Sequence, residues 1–447
     1  MKRKLLSATL CGAGLLVAVM TGLAGEPASA PQGAYTLDQC LEIGLRRSSA
    51  MLKAGEDVRI AEARIRQVRA QALPHLSARG GYTRLGDIPV FDFLEDRVEM
   101  GRLDNYLAVA RVSQLLYSGG SVRAGLKAAQ VYRDMARFRL EQVSNEVVRD
   151  IRTGFHDILL AQAALTVQEA SIAQLKDLVK QAEDRVKRGT APEFDLLSAR
   201  VRLANELPAL IRARKDVELA KAAFRNLIRL DDSDFELSGA LDYGAEKKPV
   251  EAWLAEGREG RPELLYQRKD VELSKLAIRA ERGTLKPQVE AHAAYEGLNP
   301  GTSMAEESWE WGWNAGVSLD WDLLDGGLRR GVILQKTLEL AKVQEDLTSL
   351  EEAVDLEIRQ SFLELATADE TVAASRETVA LAEKNLDIAR TRYESGLSTY
   401  LELAAAQLAV STARLTRLTA LRDHMNALAR LQCACGFGLE QTDGDSP

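Results

Sequence analysis

Residues that commonly perform catalysis or bind metals are few and scattered in this 447-residue chain. The four histidines lie far apart in the sequence, at His75, His156, His292 and His424. No Ser-His-Asp arrangement, metal-ligand spacing or phosphate-binding glycine loop accompanies them. The sequence therefore predicts a protein that is not an enzyme and that uses no cofactor or bound metal. Any energy that its activity requires must come from a partner.

The cysteines do not indicate chemistry either. Three of them lie beyond the N-terminal segment, at Cys40, Cys433 and Cys435. An odd number without regular spacing does not build a disulfide framework. We interpret them as buried thiols on helices and assign them no role.

The charge balance excludes a second class of function. The chain has 58 Lys and Arg against 66 Asp and Glu, a formal charge of −8. An acidic protein without a basic face is poorly suited to binding polyanions, so we expect no nucleic acid among its partners. One arginine-rich segment, over residues 59–69, is interpreted as a solvated helix surface.

The N-terminal segment predicts export. Three cations at positions 2–4 precede an apolar run over 5–23 that ends among small residues, the layout of a secretory signal peptide. We expect a signal peptide over 1–24, cleaved after Ala24. Cleavage after Ala30 and an uncleaved membrane anchor are the alternatives. No later run approaches ~18 consecutive apolar residues, so the mature chain is expected to contact lipid only through strands.

The chain contains one unit twice. An Arg-x-x-x-Gly pattern that ends at Gly189 recurs 207 residues later, ending at Gly396. Upstream matches such as Tyr82 and Tyr295 are 213 residues apart, so the first copy has six additional residues between Tyr82 and Gly119.

Each copy is expected to contain two strands, a long helix and a return helix. The first repeat covers 31–242, with strands over about 75–84 and 105–117, a long helix over about 121–187 and a return helix over about 191–229. The second repeat covers 243–440, with strands over about 288–297 and 308–324, a long helix over about 328–394 and a return helix over about 398–435. Residues 441–447 are expected to form a short tail.

The two long helices do not fit into a compact domain. The segment 121–187 has no proline and, at 1.5 Å per residue, makes a helix of about 100 Å. Apolar residues recur along it with heptad-like spacing from Ile151 to Val186, and again 207 residues later from Ile358 to Tyr393. We therefore predict helices packed as in a coiled coil.

The last strand of the second repeat gives the clearest indication of environment. Apolar residues such as Val317 and Leu319 alternate with polar ones such as Ser318. The apolar face also carries four tryptophans within thirteen residues: Trp309, Trp311, Trp313 and Trp321. Such alternation is typical of a strand with one face toward lipid and the other toward a wet lumen. The edge of a soluble sheet, the alternative, does not explain the tryptophans.

Four strands per chain cannot close a membrane barrel. An open sheet edge in lipid leaves backbone groups without partners, at several kcal/mol each. The chain must therefore oligomerise. Three copies provide twelve strands, which lies within the range of known barrels.

This order of elements resembles the TolC outer-membrane efflux family along nearly the whole mature chain. The motifs that carry the resemblance are Leu-Leu-Tyr-Ser-Gly-Gly at 115–120, Leu-Leu-Asp-Gly-Gly at 323–327 and the two Arg-x-x-x-Gly turns. The resemblance implies an internally duplicated α+β protomer in a homotrimer. Its twelve-stranded β-barrel lies in the outer membrane and continues as an α-barrel, a tunnel across the periplasm. Implied partners are outer-membrane lipid, a periplasmic adaptor (membrane fusion protein) and an inner-membrane transporter of the RND, ABC or MFS class.

The resemblance also implies that the helical turns form the closed periplasmic mouth. Gly189 and Gly396 then end the long helices, since glycine tolerates the left-handed backbone found at helix ends. Asp195 and Glu402 lie six residues past these glycines, where family members have acidic residues. Tyr393 lies where TolC has a tyrosine that bridges the two copies.

The chain departs from the family pattern at two positions of the mouth. Ala405 replaces a second lumen carboxylate and Ser398 replaces an arginine, so we expect a closing network with fewer members. Simpler roles stay open. Asp195 and Glu402 can be carboxylates stabilised by the helix dipole, and Tyr393 can be a packing residue.

Two functions follow from these patterns. The favoured one is the outer-membrane channel subunit of a tripartite efflux or type I secretion system, a passive exit duct. The alternative is a periplasmic coiled-coil scaffold or adaptor without a membrane barrel. The sequence identifies neither the cargo nor the class of pump.

Overall fold

A computed structural model describes residues 34–437 except 89, 94–95, 100–101, 191, 233 and 300–308. The expected signal peptide and the tail 441–447 lie outside these residues. The elements of the first repeat are α1 (Leu37–Arg47), α2 (Ser49–Ala70), β1 (His75–Arg84), β2 (Val90–Phe93), β3 (Asp96–Glu99), β4 (Asp104–Ser118), α3 (Ser121–Lys187) and α4 (Glu193–Ile228). Those of the second are α5 (Val250–Gly260), α6 (Pro262–Gly283), β5 (Gln288–Asn299), β6 (Glu310–Asp320), α7 (Leu328–Glu394) and α8 (Tyr400–Ala434).

The two long helices, α3 and α7, each contain 67 residues. Each begins directly after a glycine pair, whose second members, Gly120 and Gly327, have φ of 98° and 94°. Only glycine adopts this left-handed backbone readily, so the pairs define where strand ends and helix begins. The return helices start at Glu193 and Tyr400, two residues later than predicted, because Pro192 and Thr399 occupy the N-cap positions.

The duplication is visible in the packing of the core. In the first repeat Gly44 of α1 lies so close to α3 that an added Cβ would be 2.3 Å from Ile151 Cδ1. In the second, Gly257 of α5 approaches α7 in the same way, with Ile358 Cδ1 at 2.4 Å. Both isoleucines are fully buried within apolar clusters. The two cores are therefore built on the same glycine-to-isoleucine contact.

Within the described residues, α3 is the only helix with a stretch long and apolar enough by composition to cross a membrane. Such a stretch is weak evidence for a span. The helix packs along α2, α4, α6 and α8.

A four-stranded antiparallel sheet lies beyond the helices, in the order β1-β4-β5-β6. The repeats are adjacent in it through the pairing of β4 with β5. A separate hairpin of β2 and β3, which the sequence did not predict, lies between Tyr82 and Gly119, the segment in which the first repeat is longer than the second.

The prediction of a strand over 308–324 was too long, because β6 ends at Asp320. Beyond this residue side chains bind the chain into a turn. Trp321 Nε1 donates to the carbonyl of Leu285 at 3.1 Å. The carboxylate of Asp325 accepts from the backbone N–H of Gly327 at 3.0 Å and from Arg329 Nε at 2.6 Å. Trp309 and Trp321 thus flank the strand and do not belong to it.

Candidate functional site

The first candidate site is an apolar face that continues across all four strands. In one row Trp313 pairs with Tyr295, Tyr295 with Ala110, and Ala110 with Ala78. Nothing in the described chain covers this face, and Trp313 is 79% exposed. A contiguous exposed apolar surface of this kind indicates contact with a partner or a membrane.

Aromatic side chains form a band at one end of this face. Ring centroids are 5.1 Å apart for Tyr82 and Tyr106, 5.5 Å for Trp309 and Trp311, and 5.3 Å for Trp311 and Tyr295. Trp321 lies at the opposite end of β6. Aromatic residues at both ends of an apolar band are typical of strands that span a bilayer.

The opposite face of the sheet is predominantly polar. A row on this face contains Ser77, Arg111 and Asn314. Asn314 Nδ2 also donates to Glu296 Oε1 at 2.8 Å. The two faces therefore have the polarity of a barrel wall with lipid outside and water inside. The sheet is not closed within the described residues, since β1 and β6 are its edges there.

The second candidate site is the tip where the long helices turn back. Gly189 and Gly396 have φ of 70° and 75°. After each glycine the chain closes the helix with the same bond: Thr190 N donates to Arg185 O at 2.9 Å, and Leu397 N to Arg392 O at 2.8 Å. The two turns thus have the same geometry in both repeats.

The two helical hairpins pack against each other at the tip. One buried apolar cluster contains residues of α3, α4, α7 and α8: Leu175, Leu178, Ala182, Ala199, Tyr393, Tyr400, Leu403 and Ala404. The tips of the two repeats therefore share one packed core.

Tyr393 joins the repeats through its ring and its backbone. The guanidinium of Arg185 lies 4.4 Å from the centroid of the Tyr393 ring, and both of its terminal nitrogens donate to Tyr393 O at 3.4 Å. Its hydroxyl has no hydrogen bond to Asp195 within the described part of the tip. The bridge between the repeats is therefore a cation–π contact and a carbonyl contact.

Glu402 lies in the first turn of α8 and is exposed. Its Oε2 accepts from the hydroxyl of Ser398 at 2.7 Å, and its backbone N–H donates to Thr399 Oγ1 at 3.3 Å. The bond from Ser398, with Arg392 nearby, lowers the pKa of Glu402. Ser398, where the resemblance predicts an arginine, thus takes part in the arrangement. Ala405 is exposed.

Asp195 is half-buried in the first turn of α4. Burial, with a contribution from the charge of Asp195, raises the pKa of Tyr400. The Tyr400 hydroxyl is buried and has no hydrogen bond to a described atom. Sequence reasoning did not single out Tyr400, and it used Arg185 only as the arginine of the Arg-x-x-x-Gly turn, without predicting its contact with Tyr393. Tyr400 is the first residue of α8 and lies four positions past Gly396. This closeness to the turn was the sequence feature that could have indicated its place at the tip.

The profile of the outer membrane efflux protein family matches the chain twice, over residues 41–228 and 253–436. The chain belongs to this family. The two matches correspond to the two repeats, and membership places the chain in the outer membrane.

Two related proteins are similar in sequence to this family member. The outer membrane efflux protein BepC of Brucella suis biovar 1 is 22% identical over 267 residues, which cover 59% of this chain and 57% of BepC. The cobalt-zinc-cadmium resistance protein CzcC of Cupriavidus metallidurans is 24% identical over 214 residues, covering 48% of this chain and 51% of CzcC. The chain thus spans a little over half the length of these relatives.

Solved structures share the fold over a larger part of the chain. The CmeC outer membrane channel of Campylobacter jejuni has a TM-score of 0.76 at 14% identity, covering 91% of this chain and 87% of CmeC. The predicted TolC-like α+β fold is therefore confirmed.

Proposed function

We propose that this chain is the outer-membrane channel subunit of a tripartite efflux or type I secretion system. It forms a passive duct for substrates that an inner-membrane transporter and a periplasmic adaptor deliver. Three copies supply twelve strands, and their long helices continue the barrel as a tunnel through the periplasm.

One observation carries this proposal. A sheet with an exposed apolar face, a polar face and two edges that no described strand pairs is attached to helices of 67 residues. Unpaired edges are unfavourable in lipid unless copies of the chain pair them. A periplasmic scaffold, the alternative function, has no need of tryptophans on an exposed sheet.

We further propose that the tip is the resting gate of the duct. Gly189 and Gly396 form its turns, Tyr393 joins the repeats, and three copies each of Asp195 and Glu402 surround one axis. Crowded carboxylates raise the local concentration of cations, so the gate favours cation passage.

Single-channel recording in planar bilayers tests both proposals. The purified protein should produce discrete current steps with cation selectivity, and Glu402→Ala should reduce that selectivity. The matched control is Glu259→Ala, which removes the same charge from an exposed position on α5, far from the tip. Absence of current steps contradicts the duct. If the two variants have equal cation selectivity, Glu402 is not part of the gate, and its role is that of a carboxylate at a helix terminus.

A further inference from the structure

Exposed arginines are concentrated at the helix ends that meet the sheet, although the chain as a whole carries a formal charge of −8. We call six of them the basic belt: Arg66 and Arg69 on α2, Arg123 on α3, Arg279 and Arg282 on α6, and Arg330 on α7. Within the described residues no member of the belt forms an ion pair. Exposed acids of the same region are fewer, at Glu62, Asp320 and Asp322. The belt therefore presents a net positive charge to its surroundings.

The six arginines form three matched pairs. Arg66 and Arg69 lie 213 residues before Arg279 and Arg282, and Arg123 lies 207 residues before Arg330. These are the two offsets that relate the repeats on either side of the sheet. Both copies of the unit thus have an arginine at the same three positions.

Farther from the sheet, on the same side of α2 and α6, the charge is not kept. Arg59 corresponds to Glu272 at the offset of 213, and Glu62 corresponds to Lys275. Both pairs reverse sign between the repeats. A positive charge is therefore retained only where the helices meet the sheet.

Helix stability does not explain the whole belt. Arg69 and Arg282 lie in the last turns of α2 and α6, where the helix dipole favours a cation. Arg123 and Arg330 are the third residues of α3 and α7, at helix N-termini, where the same dipole disfavours a cation. Their presence in both repeats indicates interaction with something outside the helix.

The exposure pattern of α6 indicates which side of the wall the belt occupies. This helix is flanked by α3 and by α7. Its fully exposed residues form a single stripe at a spacing of three or four: Arg268, Glu272, Lys275, Arg279 and Arg282. Residues on the opposite side, such as Asp270 and Ala277, are half-buried. The outer side of a tunnel wall is convex and therefore the more open one, so the belt lies outside the tunnel.

The apolar face of the sheet ends next to the belt. Trp321 and Leu323, at the helix end of this face, are 52% and 77% exposed. Arg66 and Arg279 lie four residues, or about 6 Å, from the ends of their helices, and the other members lie nearer to an end. The order from apolar residues through a tryptophan to cations matches the order from bilayer core to headgroups.

We propose that the basic belt binds the phosphate groups of anionic phospholipids in the leaflet on the helix side of the sheet. Clusters of four to eight Lys and Arg beside a membrane attract anionic lipid, and the arginine fork matches a phosphate group. This inference rests on the proposed function. It goes beyond that function because a duct can insert into neutral lipid without preferring any headgroup.

Spin-labelled lipids measure such a preference directly. The full-length protein is reconstituted in phosphatidylcholine vesicles, and electron paramagnetic resonance compares the protein-associated fractions of spin-labelled phosphatidylglycerol and spin-labelled phosphatidylcholine. At low salt phosphatidylglycerol should associate about two- to fivefold more strongly. The preference should fall in about 1 M NaCl, because salt screens exposed charges.

Two sets of substitutions test whether the belt causes the preference. The first set should reduce the ratio of the two lipids to about one: Arg69→Gln, Arg123→Gln, Arg282→Gln and Arg330→Gln. Lysine at the same four positions should preserve the ratio, because it keeps the charge. The matched control removes four exposed cations of α3 and α7, about 70–80 Å farther along these helices, and should leave the ratio unchanged: Lys176→Gln, Lys180→Gln, Arg376→Gln and Lys384→Gln.

An unchanged ratio in the belt variant, or an equal loss in the control, overturns the lipid site. Phosphate in place of chloride at equal ionic strength should have no effect, and a loss of the preference there would assign the belt to free phosphate instead. A protein that inserts and conducts but prefers neither lipid overturns this inference alone. A protein that does not insert into vesicles overturns the proposed function as well.

Discussion

The contact between Gly257 and Ile358 yields a quantitative prediction about the core of the second repeat. In Gly257→Ala the new methyl group lies 2.4 Å from Ile358 Cδ1, far inside the ~3.5–4.0 Å of a favourable carbon contact. Alanine gains ~0.5–1 kcal/mol over glycine within a helix, whereas overpacking a core costs ~1–3 kcal/mol. The net loss of stability is therefore about 0–2.5 kcal/mol.

A second substitution isolates the cause of that loss. Ile358→Val removes Cδ1, after which the nearest atoms to the new methyl are Cys435 Cα at 3.5 Å and the remaining Cγ1 of residue 358 at 3.6 Å, both ordinary contacts. On its own Ile358→Val costs ~0.5–1.5 kcal/mol. The double variant should be no less stable than Ile358→Val, because the methyl group added at position 257 fills the space that Cδ1 leaves.

Thermal denaturation followed by helical circular dichroism, at one fixed protomer concentration, measures these differences. The control is Gly125→Ala on α3, where the added methyl meets only Val68 Cγ1 at 3.6 Å and stability should not fall. In the first repeat, Ile151→Val should rescue Gly44→Ala only in part, since Ile228 Cγ2 stays at 3.2 Å. Strictly additive losses for Gly257→Ala and Ile358→Val would refute the steric explanation.

Three further outcomes are expected. Val317→Arg should impair membrane insertion, at a cost of ~2–4 kcal/mol if the site lies near the bilayer midplane. Ser318→Arg, on the polar face, should be tolerated. Equal loss of membrane-inserted protein in the two variants, measured by membrane fractionation, would contradict the assigned faces. In bilayer recordings Tyr393→Phe should leave the conductance unchanged, because the ring and the backbone carbonyl of Tyr393 make the contact between the repeats. Arg185→Ala should raise the conductance. The opposite pattern would indicate that the tyrosine hydroxyl makes the contact instead. Hydrogen bonds hold the pKa of Asp325 at about 2, below ~3.9 in the unfolded chain, so its contribution to stability is present above pH ~4 and is lost as pH falls toward ~2. Asp325→Asn should therefore flatten the acid side of the melting-temperature profile, and an unchanged profile contradicts this role.

The bounds of the long helices could be predicted from the sequence because local features define them. Glycine pairs precede α3 and α7, glycine turns follow them, and neither contains a proline. The end of β6 could not be predicted in the same way. Alternation continues past Asp320 in the sequence, but the bond from Trp321 to Leu285 and the contacts of Asp325 turn the chain there.

At the tip, too, local features could be predicted from the sequence and contacts between distant residues could not. Its turns could be predicted because Gly189 and Gly396 must adopt positive φ. The contact of Arg185 with Tyr393 could not, since these residues are far apart in the chain and meet only when the two hairpins pack. Spacing within one repeat contains no information about contacts between repeats.

We propose that the chain closes a membrane barrel by forming a homotrimer. The most direct measurement is the oligomeric mass of the protein extracted from outer membranes in mild detergent, before and after heating. A trimer that separates into protomers only on heating is the predicted result. A stable monomer that stays in the soluble fraction without detergent would contradict the barrel.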